Sequence, residues 1–194
     1  LLLLDGRGHG ASGGSVISFG HREILDVRAA LEFISSRPEC RGLPIGCLGI
    51  SMGGAIALLA AAQWQEIRGV VADSTYADLC GTIARIQRST YYIPRVPFGQ
   101  LALWGAQLRL GCRMRNLSPL AVIGKLAPRP ILLIHGTEDP TIPHEDSKML
   151  YEAAKEPKEL WLIQGAEHVD GFYKNPQEYS RRVFSFFQHA FARA

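Results

Sequence analysis

The feature that most constrains this chain is a strand signal, a glycine-framed serine and a helix signal in immediate succession. Leu43-Pro44-Ile45-Gly46-Cys47-Leu48 is a short apolar run opened by proline, which predicts a buried parallel strand. Gly49-Ile50-Ser51-Met52-Gly53-Gly54 follows, and then Ala55 to Ala62, rich in strong helix formers. A serine on so sharp a strand-to-helix turn has a strained backbone and projects its hydroxyl from the sheet. That is the geometry a serine nucleophile needs.

The G-x-S-x-G pattern recurs at Gly10-Ala11-Ser12-Gly13-Gly14, where no helix signal follows, so Ser12 reads as a loop serine. Gly8 to Gly13 also matches G-x-G-x-x-G. The next helix begins about eight residues later, and no second strand ends in a suitably placed acid, which argues against a dinucleotide site.

Strand and helix signals alternate along the chain, predicting βαβ units and a mostly parallel sheet in one α/β domain over residues 1–194. Strands are expected at Leu1–Leu4, Leu43–Leu48, Ile67–Ala72, Ile131–Ile134 and Leu160–Ile163. A helix is expected from His21 to Arg37, with Ile24, Val27, Leu31 and Ile34 on one face. Between the third and fourth of these strands, residues 79–127 lack strand character. They open on a helix capped by Asp78, with Leu79, Ile83 and Ile86 on one side. An aromatic, proline-broken stretch from Tyr91 to Trp104 follows, and then a short helix with Ser118 as N-cap and Pro119 at its first position. The last helix opens at Asn175-Pro176-Gln177-Glu178, a cap with a reciprocating Glu. Tyr179, Val183, Phe186, Phe187 and Ala190 form its buried stripe.

With 47% hydrophobic and 20% charged residues, the composition is that of an ordinary globular chain. No apolar run approaches the ~18 residues that span a bilayer. Cys40, Cys47, Cys80 and Cys112 show no C-x-x-C spacing and read as free, mostly buried thiols in a reducing compartment, which favours the cytoplasm. The six histidines are scattered, and no metal constellation emerges.

A serine hydroxyl needs a base, and the base an acid that fixes its tautomer and stabilises the imidazolium. The loop after the fourth expected strand carries Glu138 and Asp139, and the loop after the fifth carries His168. Both lie at carboxyl ends of strands, where open α/β sheets assemble their sites. Ser51, Asp139 and His168 stand in the Ser…Asp…His order of one triad fold. His135, at a strand end, reads as structural. Glu138 and Asp73 are rival acids: the His-Gly-x-x-Asp pattern favours Asp139, and Asp73-Ser74-Thr75-Tyr76 also reads as a turn satisfied by its own carboxylate.

On the Asp5–Ser12 loop, the Gly49–Gly53 turn, His135-Gly136 with Asp139, and Gly165 with His168, the chain resembles the α/β-hydrolase superfamily. It looks most like the small serine-esterase and peptidase-like members. The resemblance implies a three-layer sheet with a helical cap at 79–127 and an oxyanion donor at the backbone N–H of Met52. It also implies hydrolysis of an ester through an acyl-enzyme, without a cofactor. A peptidase-like or thioesterase activity is the runner-up, and a non-catalytic interaction module is the rival from another class. Leu1–Leu4 would correspond to the fourth of eight strands. The chain therefore reads as part of a longer polypeptide, with three strands and the second oxyanion donor missing. That predicts low stability, aggregation, or a rearrangement in which Leu1–Leu4 fills the vacant slot beside Ile45–Ile50.

From Leu79 to Arg129 there are eight basic residues (Arg85, Arg88, Arg95, Arg109, Arg113, Arg115, Lys125 and Arg129) and no Asp or Glu. One reading is a solvated basic face over an apolar pocket. The other is a cap that draws in anionic substrates or rests on an anionic membrane surface. No recognition motif supports nucleic acid.

Overall fold

The computed structural model describes residues 1–90 and 99–192, with side chains for 1–85 and 99–192. Four strands, β1 (Ile45–Ile50), β2 (Ile67–Asp73), β3 (Ile131–Gly136) and β4 (Lys158–Ile163), form one sheet in the order β1-β2-β3-β4. All three pairings are parallel. Their registers bring Ile50, Asp73, Ile134 and Trp161 into one row, so the loops leaving the strands emerge together at the carboxyl edge.

The alternation of side chains along a strand divides the core into two. Val70, Ala72, Ile131 and Leu133 face one way and pack with Leu31 of α1 (Glu23–Ser36), Ala57 and Leu58 of α2 (Met52–Gln63), and Leu150 of the later helix Glu145–Ala153. Val71, Leu132 and Ile134 face the other way and pack with Tyr179 and Phe186 of the C-terminal helix Pro176–Ala192. Val183 and Phe187 pack against that second cluster and Ala190 is buried, as the expected stripe requires.

The described residues between β2 and β3 form α3 (Leu79–Thr90), α4 (Gln100–Leu110) and three short 3-10 turns ending at Lys125. With those placed, the remaining helices are α5 (Glu145–Ala153), α6 (Gly171–Lys174) and α7 (Pro176–Ala192). Asp78 caps α3 as expected, its carboxylate accepting the Gly81 amide at 2.7 Å. The stretch at 91–98 (Tyr91, Tyr92, Pro94, Arg95, Pro97, Phe98) and the side chains of Ile86 and Arg88 lie outside the described residues.

Some expectations are corrected. Leu1–Leu4 forms no strand and is exposed throughout. It neither joins the sheet nor fills the place beside β1, whose outer side has no partner strand among the described residues. Apolar character gives a run β-propensity, but only a ladder partner makes it a strand. Ser118 does not cap a helix. Its hydroxyl donates to the carbonyl of Ala77 at 3.0 Å, and Pro119–Ala121 is a single 3-10 turn. Asn175 does cap α7, accepting the Glu178 amide at 3.2 Å. The Glu178 carboxylate does not return the bond, because Arg181 and Arg182 hold it. The four cysteines are unpaired but half-buried rather than buried.

Candidate active site

Ser51 sits between β1 and α2 with φ 53° and ψ −119°, outside the regions a non-glycine residue normally occupies. The sheet holds it there: the Ser51 amide donates to the Asp73 carbonyl at 2.8 Å. A Cβ on Gly49 would overlap the Gly53 carbonyl and the Gly54 amide. The first glycine of the motif is therefore obligatory, because the incoming strand and outgoing helix touch backbone to backbone.

β3 runs into the loop that carries Asp139, and β4 into the loop that carries His168. The two loops are bound to each other. The Glu138 amide donates to the Ala166 carbonyl at 2.9 Å, and the Gly165 amide to the Thr137 hydroxyl at 3.0 Å. Gly136 lies so close that a Cβ there would overlap the Ala166 carbonyl.

These elements bring Ser51, His168 and Asp139 into one relay. Nε2 of His168 lies 3.0 Å from Ser51 Oγ, and Nδ1 lies 2.6 Å from Asp139 Oδ2. The other Asp139 oxygen accepts the amides of Thr141 and Ile142, each at 2.8 Å. Burial alone would raise this carboxyl. Hydrogen bonds from His135, His168 and the two amides outweigh burial and hold it well below the usual carboxylate range. Asp139 is thus a fixed, ionised acceptor for the Nδ1–H of His168, which leaves Nε2 free to take the serine proton.

The rival residues are placed elsewhere. Glu138 is exposed. Asp73 is buried and occupied, accepting the Tyr179 hydroxyl at 2.7 Å and the Ser74 hydroxyl at 2.9 Å. It is therefore satisfied by a distant tyrosine as well as by its own turn. Burial pushes its carboxyl above the usual range despite those two donors. Ser12 is exposed and donates to the Asp5 carbonyl at 2.7 Å. Met52 opens α2, where first-turn amides have no intrahelical acceptor, and its N–H belongs to the residue next to Ser51.

Two further groups support the site, and the first, His135, is structural as its place at a strand end implied. His135 is fully buried, with Nε2 2.9 Å from the Ile142 carbonyl and 3.2 Å from Asp139 Oδ2. Since that carbonyl only accepts, Nε2 carries a hydrogen, and Nδ1 lies 2.6 Å from the Ser147 hydroxyl. His135 thus braces the loop that holds Asp139. Ser74 is the other group: its Oγ accepts the Val169 amide beside His168. Nothing in the sequence announced that contact.

A family model described as serine aminopeptidase, S33, matches residues 1–116. The chain is 36% identical over 188 residues to YqkD of Bacillus subtilis (strain 168), described as uncharacterized, covering 96% of this chain and 61% of that protein. It is 32% identical to YfhR of Escherichia coli O157:H7, also uncharacterized, covering 89% and 54%. The chain thus spans a little over half the length of these curated relatives. Among solved structures, the Pyrococcus furiosus esterase Pf2001 matches at 28% identity with a TM-score of 0.74, over 96% of this chain and 68% of that one. The α/β hydrolase GrgF from Penicillium sp. sh18 matches at 21% identity with a TM-score of 0.71, over 96% and 78%, a likeness of fold.

Proposed function

The chain belongs to the serine aminopeptidase, S33, family of α/β hydrolases, and from that premise we propose that it is a serine hydrolase that cleaves carboxylic esters through an acyl-enzyme on Ser51. The observation that carries this reading is the unbroken relay from Ser51 Oγ through His168 to Asp139, at 3.0 and 2.6 Å.

The chemistry follows from the geometry. As Ser51 Oγ attacks the ester carbonyl, His168 Nε2 takes its proton and Asp139 stabilises the resulting imidazolium. The carbonyl oxygen gains negative charge, and the Met52 N–H donates to it. The tetrahedral adduct collapses, the alkoxide leaves with the proton from His168, and the acyl group stays on Ser51. Water then attacks that ester, His168 accepts its proton, and the acid departs as Ser51 recovers its hydrogen. No step draws on a cofactor.

An ester is preferred to an amide because the Pyrococcus furiosus relative is an esterase. The family description favours a second reading, aminopeptidase-like cleavage. The described helices include none long and apolar enough to cross a membrane. Four unpaired cysteines suit a reducing compartment, so we assign the reaction to the cytoplasm.

The test is fluorophosphonate labelling with turnover of a p-nitrophenyl ester, an acyl thioester and an aminoacyl anilide. Labelling and ester turnover that both vanish in Ser51→Ala support the reading. Turnover of the anilide alone selects the peptidase reading. An unlabelled Ser51 with no turnover of any substrate points to a non-catalytic module.

A further inference from the structure

The helix α4 is apolar on two opposite faces. Leu103, Ala106 and Leu110 face inward, against a cluster that includes Met114, Leu117 and Ile142. On the far side Leu101, Trp104 and Leu108 form a stripe at i, i+3 and i+7, with exposures of 59%, 62% and 63%. A helix that is apolar on all sides is ordinarily buried on all sides. Here only the inner face is covered by the described residues.

The charge along this segment of the sequence has one sign. Arg109 lies in the last turn of the helix, and Arg113 and Arg115 follow it; all three are exposed, and none is in an ion pair among the described residues. Two other basic residues of the segment have structural work: Arg85 pairs with Asp146 at 3.3 Å, and Arg129 donates to the carbonyls of Trp64 and Ile67. Leu79 to Arg129 carries eight positive charges against none negative, whereas the whole chain is only +3, leaving −5 for the remainder. The exposed arginines left by those contacts, Arg109, Arg113 and Arg115, lie in the last turn of α4 and just beyond it.

We propose that the outer face of α4, flanked by Arg109, Arg113 and Arg115, docks the protein on an anionic membrane surface. Leucines and a tryptophan enter the headgroup boundary while the arginines meet lipid phosphates and carboxylates. Charge complementarity selects this occupant. A second copy meeting α4 to α4 would bring two sets of Arg109, Arg113 and Arg115 together, which repel. The cluster beneath α4 includes Ala55, one turn after Ser51, and Ile142, whose amide holds Asp139. Docking would therefore set the candidate site close to the lipid.

Co-sedimentation with vesicles of phosphatidylcholine, with and without phosphatidylserine, tests this on the chain itself. Binding is expected at least about tenfold tighter with phosphatidylserine, and lost near 0.5 M salt, where charges are screened within a few Å. Each basic residue at an anionic surface is worth about fivefold. Arg109→Glu with Arg113→Glu and Arg115→Glu should thus weaken binding by roughly 100-fold or more. Leu101→Ser with Leu108→Ser should weaken it on its own, and the Trp104 emission should shift blue only with anionic vesicles. Melting and turnover of a soluble ester check that these variants fold. Equal binding to both vesicles, insensitivity to salt, or no binding overturns the proposal. So does a dimer that the Leu101 and Leu108 changes dissolve, which would make a second copy the occupant. The readout is binding, so it stands or falls apart from the ester reading.

Discussion

The amide of Val169 donates to the hydroxyl of Ser74 at 3.2 Å, joining the residue after His168 to the end of β2, 95 positions earlier. Both backbones are left-handed, with φ 61° at Val169 and 51° at Ser74. A β-branched residue in that region costs about 1–3 kcal/mol and persists only where its surroundings hold it. The hold extends further: Ser74 donates to Asp73, and Asp73 also accepts from Tyr179 on α7. A buried carboxylate thus anchors the loop that carries the base.

Ser74→Ala should therefore impair the base without touching it. We expect kcat for a soluble ester to fall about tenfold, the effect of roughly 1.4 kcal/mol in the transition state, with KM nearly unchanged. Slower fluorophosphonate labelling of Ser51 should accompany it. A rise in KM at constant kcat would place Ser74 in substrate binding instead.

The two buried acids should separate in rate. Asp139→Asn removes the group that fixes the His168 tautomer, and kcat should fall by about 10⁴. Asp73→Asn leaves the relay intact, so its kcat should stay within about tenfold of the parent. Steady-state kinetics of the pair decides it, and the reverse ranking moves the acid to β2.

They should also separate in pH dependence, with opposite signs. The Asp139 carboxyl is lower folded than unfolded, so its stabilisation is fully present above the ordinary value of about 4 and is lost as pH falls through the folded value below it. The Asp73 carboxyl is higher folded than unfolded, so stability declines as pH rises from about 4 through its raised value. Denaturant midpoints measured across this range should show Asp73→Asn flattening the decline on the alkaline side. Asp139→Asn should lose its deficit relative to the parent only in strong acid.

The glycines framing Ser51 should differ in tolerance. Gly49→Ala drives a Cβ into backbone that cannot yield, and we expect loss of folding or of all labelling. A Cβ at Gly53 meets nothing within 4 Å, so Gly53→Ala should keep its activity and gain up to about 1 kcal/mol from helix propensity. Melting and labelling of both variants check this; a Gly53→Ala protein that fails to label would assign that glycine a role beyond space.

Much of this was legible because it is local. The Pro44-led run, the Gly49–Gly53 turn and the alanines after it each specify their own conformation, and together they fix the β1–α2 joint. Asp139 and His168 were readable because strand ends announce the loops where sites assemble. What failed was non-local. Leu1–Leu4 has the composition of a strand, but pairing depends on a neighbour the run cannot encode. Ser118 had the pattern of a cap, yet its hydroxyl found the Ala77 carbonyl, 41 positions away. The Ser74–Val169 link needs a left-handed valine, which no propensity would suggest. No helix was expected at Gln100–Leu110, so the outer stripe of α4 went unread.

The strands lie side by side in the order in which they occur in the chain. Such a sheet can grow in one direction, each arriving strand adding to the edge left by the one before, while the loops most distant in sequence wait longest to meet. Ser51 and His168 are 117 positions apart and meet only when β4 is in place. Loop closure over that span is the slow kind of event. During refolding, helical dichroism should return well before Ser51 reacts with a probe, making reactivity at this serine the mark of a finished chain.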